Sequence, residues 1–271
     1  MYQVITLAIV IAVVSTCMAQ STKSATQPAL ASQPKAPSST DGLTVIKNVE
    51  YASVDGKPLL MDFYIPENIK DGVLPAVVWI HGGGWRVGSN TKEQYARIAQ
   101  MAQKGYIGVS VDYRLVPNAI FPAQIEDCKA AIRFVRANAA KYHIDPDRIG
   151  VWGSSAGGHL VSLLGTSGGV KELEGNVGKN LDQSSRVQCV VDVCGPTDLM
   201  LFLKNGDAKS SAADLVGGDL EKAKDLVKKA NPMTYISKDA PPFLILHGDK
   251  DVTVDIEHSR IFAKALKDAG V

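Results

Sequence analysis

The chain has no excess of charge of either sign. Its 271 residues carry 29 Lys and Arg against 28 Asp and Glu, which gives a formal net charge of +1. No basic stripe predicts binding to nucleic acid, and no acidic excess predicts disorder. With 45% hydrophobic and 21% charged residues, the composition is that of an ordinary globular protein. The length suits one large domain, and the sequence shows neither an internal repeat nor a second domain.

Cysteine is scarce as well. Four are present, and their spacing matches no metal-binding pattern. Cys189 and Cys194 are five residues apart in an apolar run typical of a strand, and an odd offset places side chains on opposite faces. The sequence therefore predicts free, buried thiols at Cys128, Cys189 and Cys194, and it predicts neither a metal nor a cofactor.

A hydrophobic run long enough to span a bilayer comfortably is also missing. The run near the N-terminus, Val4–Val14, has about 11 residues, which is typical of a signal-peptide core. Ala19 offers a small residue for cleavage, although a basic segment before the run is absent. We predict a signal peptide over residues 1–19 and an exported protein. Lipid anchoring at Cys17 is the alternative, because the residues before it loosely resemble a lipobox.

Residues 20–43 are rich in Ser, Thr, Pro and Ala and almost free of large apolar side chains. Such a segment cannot bury enough apolar surface to order itself. We predict that residues 20–43 form a flexible tether between the export signal and a domain over residues 44–271.

From Thr44 onwards, apolar runs typical of strands alternate with helical periodicities. Two runs separated by Asp55-Gly56 predict a hairpin. This alternation predicts an α/β fold, in which helices cover both faces of a mostly parallel sheet. Ligands bind such sheets at the carboxyl ends of the strands. The further strands are predicted at 74–80, 106–111, 148–152, 187–193 and 243–246, and the helices at 91–104, 122–140, 156–164, 199–230 and 255–269.

Ser155 lies in GSSAGGHL (153–160), between a predicted strand and a predicted helix. Gly-x-Ser-x-Gly spacing is typical of a nucleophile on a sharp, strained turn, where bulky neighbours would clash. The start of the following helix favours developing negative charge. The alternative interpretation is a turn of small residues without chemistry.

HGGGW (81–85) directly follows the strand predicted at 74–80. Its successive glycines leave backbone N–H groups free to stabilise an oxyanion, the negative oxygen of a tetrahedral acyl intermediate. A phosphate-binding loop is the alternative, but the spacing matches neither GxGxxG nor GxxxxGKS.

HGDKDV (247–252) follows the strand predicted at 243–246. A carboxylate at the end of this strand can orient a histidine and stabilise its charged form. The alternative is a calcium loop built from the acids at 249, 251, 255 and 257, but the glycine of an EF-hand is absent.

These motifs resemble those of the α/β-hydrolase superfamily, in its lipase and esterase branch with an HGGGW motif. The sequence is similar to hormone-sensitive-lipase-like esterases, and closer still to bacterial secreted feruloyl and acetylxylan esterase-like proteins. The resemblance runs from about residue 44 to the end of the sequence. It is carried by HGGGW (81–85), DYRL (112–115), GSSAGGHL (153–160), GPTDL (195–199) and PPFLILHGDKD (241–251).

The resemblance implies an α/β-hydrolase fold, and it implies a role for each residue that matches a motif of the family. Ser155 is expected to be the nucleophile and Asp251 the acid of a catalytic triad. The backbones of Gly83, Gly84 and Ala156 are expected to form the oxyanion hole. Asp249 is expected to shape a turn, and Asp127 and Asp198 to have structural roles.

The histidine of the triad is the open question. In this superfamily the order is Ser, Asp, His, with the His commonly some thirty residues after the acid; here 20 residues follow Asp251. His258 is the histidine in that stretch, and we expect it to be an exposed helix residue. His81 and His247 are expected to hydrogen-bond locally, and His143 and His159 to lie away from the site. We therefore expect that the last strand, the last helix and the base are missing and that this polypeptide is nearly inactive.

The predicted function is that of a serine carboxylic-ester hydrolase acting on short acyl or feruloyl and acetyl esters, such as those of plant polysaccharides. Two alternatives remain open. An arylformamidase-like or peptidase-like amide hydrolase shares these motifs, although no propeller domain is present. A non-catalytic binding protein with a hydrolase fold would be favoured by loss of the nucleophile or the acid, and both Ser155 and Asp251 are in place.

Overall fold

The computed structural model describes residues 40–69, 72–90, 95–204 and 211–271. The predicted signal peptide, the alternative anchor Cys17 and most of the predicted tether lie outside the described residues. The first strand begins at Leu43, one residue before the predicted start of the domain.

The described residues form one seven-stranded sheet in the order β1-β2-β4-β3-β5-β6-β7. The predicted hairpin is the antiparallel pair β1–β2, and β2 pairs antiparallel with β4. All further neighbours are parallel, so β3, β5, β6 and β7 end at the same edge. The strands are β1 (Leu43–Val54), β2 (Lys57–Pro66), β3 (Leu74–Ile80), β4 (Ile107–Val111), β5 (Ile144–Ser154), β6 (Cys189–Val193) and β7 (Phe243–Leu246).

Helices cover both faces of the sheet, as the alternating pattern predicts. Along β3, Val78 and its same-face neighbours belong to the main core, while Trp79 on the opposite face lies under Arg97 of the first helix. Trp79 also packs edge-on against Trp152 of β5 at 4.9 Å between ring centroids. The helices are α1 (Tyr95–Gln103), α2 (Ala123–Ala137), α3 (Ala156–Thr166), α4 (Lys171–Glu174), α5 (Met200–Lys204), α6 (Ser211–Leu215), α7 (Lys224–Ala230) and α8 (Glu257–Asp268).

The prediction of one long helix over residues 199–230 is wrong. The described part of this stretch contains three short helices, α5, α6 and α7. Gly217 and Gly218 follow α6 with φ of +79° and +148°, conformations that end a helix. None of the helices among the described residues is both long and apolar enough to cross a membrane.

A buried charge cluster holds the segment that connects α3 to β6. Lys129 and Arg133 of α2 are almost fully buried, and both bind the carboxylate of Glu174 in α4. The Lys129 Nζ lies 2.7 Å from Glu174 Oε1, and the Arg133 guanidinium 2.9 Å from Oε2. Lys129 also donates to the carbonyl of Ser167 at 2.6 Å. One carboxylate therefore pairs with two buried cations at the end of the sheet opposite the motifs.

We predict that Glu174→Gln lowers the free energy of unfolding by about 3 kcal/mol, because it leaves two buried cations without a counter-charge. Glu172→Gln is the matched control in the same helix, since Glu172 is half exposed and 3.7 Å from an exposed Lys229. That control should change the free energy by less than about 0.5 kcal/mol. Urea unfolding of both variants measures the difference, and equal effects would contradict the role assigned to Glu174.

Candidate active site

Ser155 occupies a strained turn between β5 and α3. Its backbone has φ +55° and ψ −122°, a combination that L-residues rarely adopt. Its N–H donates to the carbonyl of Val193 in β6 at 2.8 Å, and its carbonyl accepts from His159 in the first turn of α3. The predicted nucleophile therefore stands at the carboxyl end of a central strand.

The glycines on either side of Ser155 are required by close backbone contacts. A Cβ on Gly153 would collide with the carbonyl of Gly157, and a Cβ on Gly157 would collide with the carbonyl of Ile80 at the end of β3. The Gly-x-Ser-x-Gly spacing thus follows from a turn pressed against its own helix and against β3.

The HGGGW loop lies directly against this turn. A Cβ on Gly82 would be 2.7 Å from the carbonyl oxygen of Ser154 and 3.4 Å from Ser155 Cβ. The next residue, Gly83, has φ +114°, and its carbonyl turns away to accept from the N–H groups of Arg86 and Val87. The sequence prediction that these two motifs meet at one sheet edge agrees with this placement.

Two of the three predicted oxyanion donors, Gly83 and Gly84, belong to the loop that touches the Ser155 turn, and the third, Ala156, directly follows Ser155. Within the described part of the chain, the N–H groups of Gly83 and Gly84 donate to no other group. The N–H of Ala156 belongs to the first turn of α3, where helix N–H groups have no intrahelical partner. Gly84, with φ +60°, faces Ser211 at the start of α6. Backbone N–H groups without another acceptor can stabilise negative charge on a carbonyl oxygen that binds within their reach.

His81 and Tyr113 hold the HGGGW loop in place. Their rings stack at 4.2 Å between centroids, and the Tyr113 hydroxyl donates to the His81 carbonyl at 3.0 Å. The Nδ1 of His81 bonds the carbonyl of Gly82 at 2.7 Å, and burial lowers the pKa of His81 to about 4. His81 is therefore a neutral, local hydrogen-bonding residue.

Asp251 lies in the turn that follows β7. Its Oδ1 accepts from the N–H groups of Thr253 and Val254 at 2.8 and 3.0 Å. Its Oδ2 is 3.6 Å from His247 Nε2, but that nitrogen bonds the Val254 carbonyl at 2.8 Å. The carboxylate is thus fixed through one oxygen and keeps the other for a further partner.

Cys194 connects the nucleophile turn with the acid. It follows β6 with φ +48°, its N–H bonds the Leu246 carbonyl of β7, and its Sγ lies 3.9 Å from Ser154 Oγ. Burial raises the pKa of the Cys194 thiol to about 11, and the charge of Asp251 adds to the rise. Cys194 therefore lies beside the residue before Ser155 and is bonded to the end of β7, the strand that leads to Asp251.

The cysteine prediction holds in part. Cys128, Cys189 and Cys194 are free thiols, but Cys128 alone is fully buried among them. The prediction for Cys194 concerned only the face of a strand on which its side chain lies. It did not include a position at the site. The signal available was its position directly after a buried strand, the location of every other motif.

In the described part of the chain, none of the five histidines is hydrogen-bonded to Ser155 Oγ. His159 Nε2 bonds the Ala230 carbonyl at 2.7 Å, and its ring packs edge-on against Trp85. His247 binds Ser259 Oγ and the Val254 carbonyl. His143 precedes β5 at the end of the strand opposite Ser155, and the six steps of β3 that pair with Ile144 to Gly153 span about 20 Å. Within the described residues, none of them donates to or accepts from the serine hydroxyl.

The prediction that His258 is exposed is wrong. Its exposed fraction is 1%, because it faces the loop after β6 rather than solvent. The N–H of Asp198 donates to its Nδ1 at 3.2 Å, and Phe202 lies against its ring. Burial lowers the pKa of His258 to about 4. The helical periodicity of α8 indicates that one face of the helix points inward. It does not indicate whether that face packs on the sheet or on this loop.

The remaining acids have local partners. Asp127 is buried and bound to the Arg114 guanidinium at 2.7 Å, and Asp198 accepts from the N–H of Met200 at 3.0 Å. Asp249 is exposed in the turn before Asp251. In the described ranges, no group of three or more His, Cys, Asp or Glu side chains could hold a metal ion.

We predict that Gly157→Ala destabilises the domain by about 2 kcal/mol, because the added methyl overlaps the backbone of β3. Gly248→Ala is the matched control, since a Cβ there meets nothing within 4 Å. Thermal and urea unfolding of the two variants test this. A Gly157→Ala protein as stable as the control would show that the turn and β3 are not in contact.

Comparison with known proteins adds relatives for this geometry. Esterase LipQ of Mycobacterium tuberculosis is 34% identical over 226 residues, which cover 79% of this chain and 51% of LipQ. Esterase LipC of the same organism is 29% identical over 218 residues, with 79% and 53% covered. The chain spans about half the length of these curated relatives.

Solved structures match over more of their length. A truncated form of a carbohydrate esterase from gut microbiota has a TM-score of 0.79 and 35% identity, with 88% of both chains covered. The propionate-bound esterase Est2 of Thermogutta terrifontis has a TM-score of 0.70 and 29% identity, with 86% and 81% covered.

These TM-scores and identities show that the chain shares the fold of these esterases. The BD-FAE family model matches residues 61–266, which include both motifs and Asp251. The chain therefore belongs to the BD-FAE family, among the esterases with an α/β-hydrolase fold.

Proposed function

We propose that this chain carries the nucleophile, the oxyanion hole and the acid of a serine carboxylic-ester hydrolase. The observation that carries the proposal is the contact of the Ser155 turn with the HGGGW loop. This contact brings a strained serine next to backbone N–H groups that have no other described acceptor. The esterase relatives support the same reaction class.

In the proposed reaction, Ser155 Oγ attacks the carbonyl carbon of the ester, and its proton passes to a base. The oxygen of the tetrahedral intermediate takes the negative charge and accepts from the N–H groups of Gly83, Gly84 and Ala156. Collapse expels the alcohol, which leaves with the proton from the base, and an acyl-serine remains. Water then attacks the acyl group in the same way and releases the acid.

Asp251 is proposed to orient the base and stabilise its charged form. Two backbone N–H groups fix Oδ1, so the carboxylate has one orientation, and Oδ2 remains for a histidine N–H. His247 is a poor candidate because both of its ring nitrogens already have partners.

We further propose that the 271-residue polypeptide by itself turns over esters slowly. The support is the placement of its histidines: none of the five, as described, reaches the hydroxyl of Ser155. A serine hydroxyl is a weak nucleophile until a base takes its proton. Triad members act as a unit, so the loss of one costs about as much as the loss of all.

The substrate proposed is a short acyl ester, such as an acetyl or feruloyl group on a plant polysaccharide. Support comes from similar structures: one is a carbohydrate esterase, and another is bound to propionate. Export, as predicted from residues 1–19, would bring the protein to such polymers.

We predict that turnover of p-nitrophenyl acetate by the chain lies within about tenfold of Ser155→Ala, and that added imidazole widens this gap. Imidazole can act as a free base next to Asp251. Imidazole also hydrolyses the ester directly in solution, and the rate measured with the Ser155→Ala protein is the background that is subtracted for this reaction. Initial rates at several imidazole concentrations measure the effect.

Two results would contradict the proposals separately. Equal rates for both proteins at every imidazole concentration would argue against Ser155 as the nucleophile. A gap of a thousandfold without imidazole would show that one of the chain's own groups acts as the base. If imidazole raises the rate of the chain, the rates on acetyl and feruloyl esters and on N-formyl amides then distinguish an esterase from an amide hydrolase.

A further inference from the structure

Asp192 is a fully buried carboxylate directly beneath the nucleophile turn. It lies in β6 and pairs with Gly153 of β5 and Ile245 of β7. The next residue, Val193, accepts the N–H of Ser155 through its carbonyl. One strand position therefore separates this carboxylate from the backbone that holds the serine.

Both oxygens of Asp192 are bound. Oδ1 accepts from the N–H of Gly195 at 2.8 Å, and Oδ2 accepts from Ser162 Oγ at 3.0 Å. A Cβ on Gly158 or on Gly195 would collide with Oδ1. The side chain thus fills a slot between α3 and the loop that follows β6, and glycine on both walls leaves room for it.

The two walls of this slot carry the two halves of the site. Ser162 and Gly158 belong to α3, whose first residue, Ala156, follows Ser155. Gly195 belongs to the loop that contains Cys194, whose N–H bonds the Leu246 carbonyl at the end of β7, the strand that leads to Asp251. The bonds of Asp192 therefore link the nucleophile helix to the wall facing the acid.

The carboxylate has no cationic partner among the described residues. The elements packed against it present Gly153 from β5, Ile245 from β7 and Gly158 and Ser162 from α3, none of which titrates. The thiol of Cys194 is its titratable neighbour. Burial raises the pKa of Asp192 to about 7, against the hydrogen bonds from Ser162 and Gly195, which lower it.

We propose that Asp192 is a positioning residue for Ser155, and that its charge state sets the reactivity of the serine. The charged form accepts from both Ser162 and Gly195, and charge-assisted bonds are the stronger kind. Protonation places a donor on one oxygen, so the Ser162 hydroxyl has to turn and the link between α3 and the loop weakens. This inference rests on the proposed role of Ser155.

The test compares rates of fluorophosphonate labelling of Ser155, followed by peptide mass spectrometry, between pH 5.5 and 8.5 at a fixed concentration of imidazole, which supplies the base that the histidines of the chain do not. The proteins are the unmodified chain, Asp192→Asn, which stays neutral and keeps one donor and one acceptor, and Asp192→Ala, which loses both bonds. Asp239→Asn is the matched control because Asp239 is exposed. The ratio of the unmodified rate to the Asp192→Asn rate cancels the pH dependence that belongs to the serine itself.

We expect that ratio to rise at least about threefold with a midpoint near pH 7, and Asp192→Ala to label about tenfold more slowly at pH 8. The ratio for Asp239→Asn should stay constant. A ratio for Asp192→Asn that is also constant would overturn the inference, whether or not Asp192→Ala folds. A folded Asp192→Ala protein that labels at the unmodified rate would overturn it too.

An NMR titration separates this inference from the proposed function. The amide signal of Gly195 should shift with pH near 7 in the unmodified chain and stay constant in Asp192→Asn. If that shift is seen and the adduct is not on Ser155, the proposed nucleophile is wrong. If the adduct is on Ser155 and the Gly195 amide does not titrate, the role of Asp192 is wrong.

Discussion

The end of β3 and the first turn of α3 touch backbone to backbone, and the rest of the site depends on this contact. Gly157 allows it, because any side chain there would overlap the carbonyl of Ile80. The contact places the HGGGW loop beside Ser155, and the strain at Ser155 is the cost of the sharp turn. The proposed oxyanion hole therefore consists of backbone groups rather than long side chains, and such groups need no reorganisation during a reaction.

Buried charge is handled differently at the two ends of the sheet. At the amino ends of β5 and β6, Glu174 is paired with two buried cations, which gives a rigid connection of no evident chemical use. At the carboxyl ends, Asp192 is buried without a cation and held by one hydroxyl and one N–H. Burial raises the pKa of Asp192 to about 7, so its charge can change near neutral pH. This carboxyl group can therefore respond to its surroundings at the end of the sheet where the chemistry is proposed.

The fold could be predicted from the sequence wherever one pattern of apolar residues, that of a strand or that of a helix, dominates a segment. Continuous apolar runs gave β3 and β4, and the Asp55-Gly56 turn gave the hairpin, because these signals are local. The motifs located Ser155, Gly83 and Asp251 because each follows a strand. Contacts between distant elements could not be predicted in this way. The burial of His258 depends on the loop after β6, and the roles of Cys194 and Asp192 depend on how β6 meets α3 and β7.

The central claim is that Ser155 faces an oxyanion hole formed by the HGGGW loop and the start of α3. The most direct measurement is a crystal structure of the chain after reaction with a fluorophosphonate in the presence of imidazole as the base, because the phosphoryl oxygen of the adduct takes the place of the oxyanion. The account predicts a bond from Ser155 Oγ to phosphorus, with that oxygen within hydrogen-bond distance of the N–H groups of Gly83, Gly84 and Ala156. A phosphoryl oxygen that points to solvent, or an adduct on another residue, would contradict it.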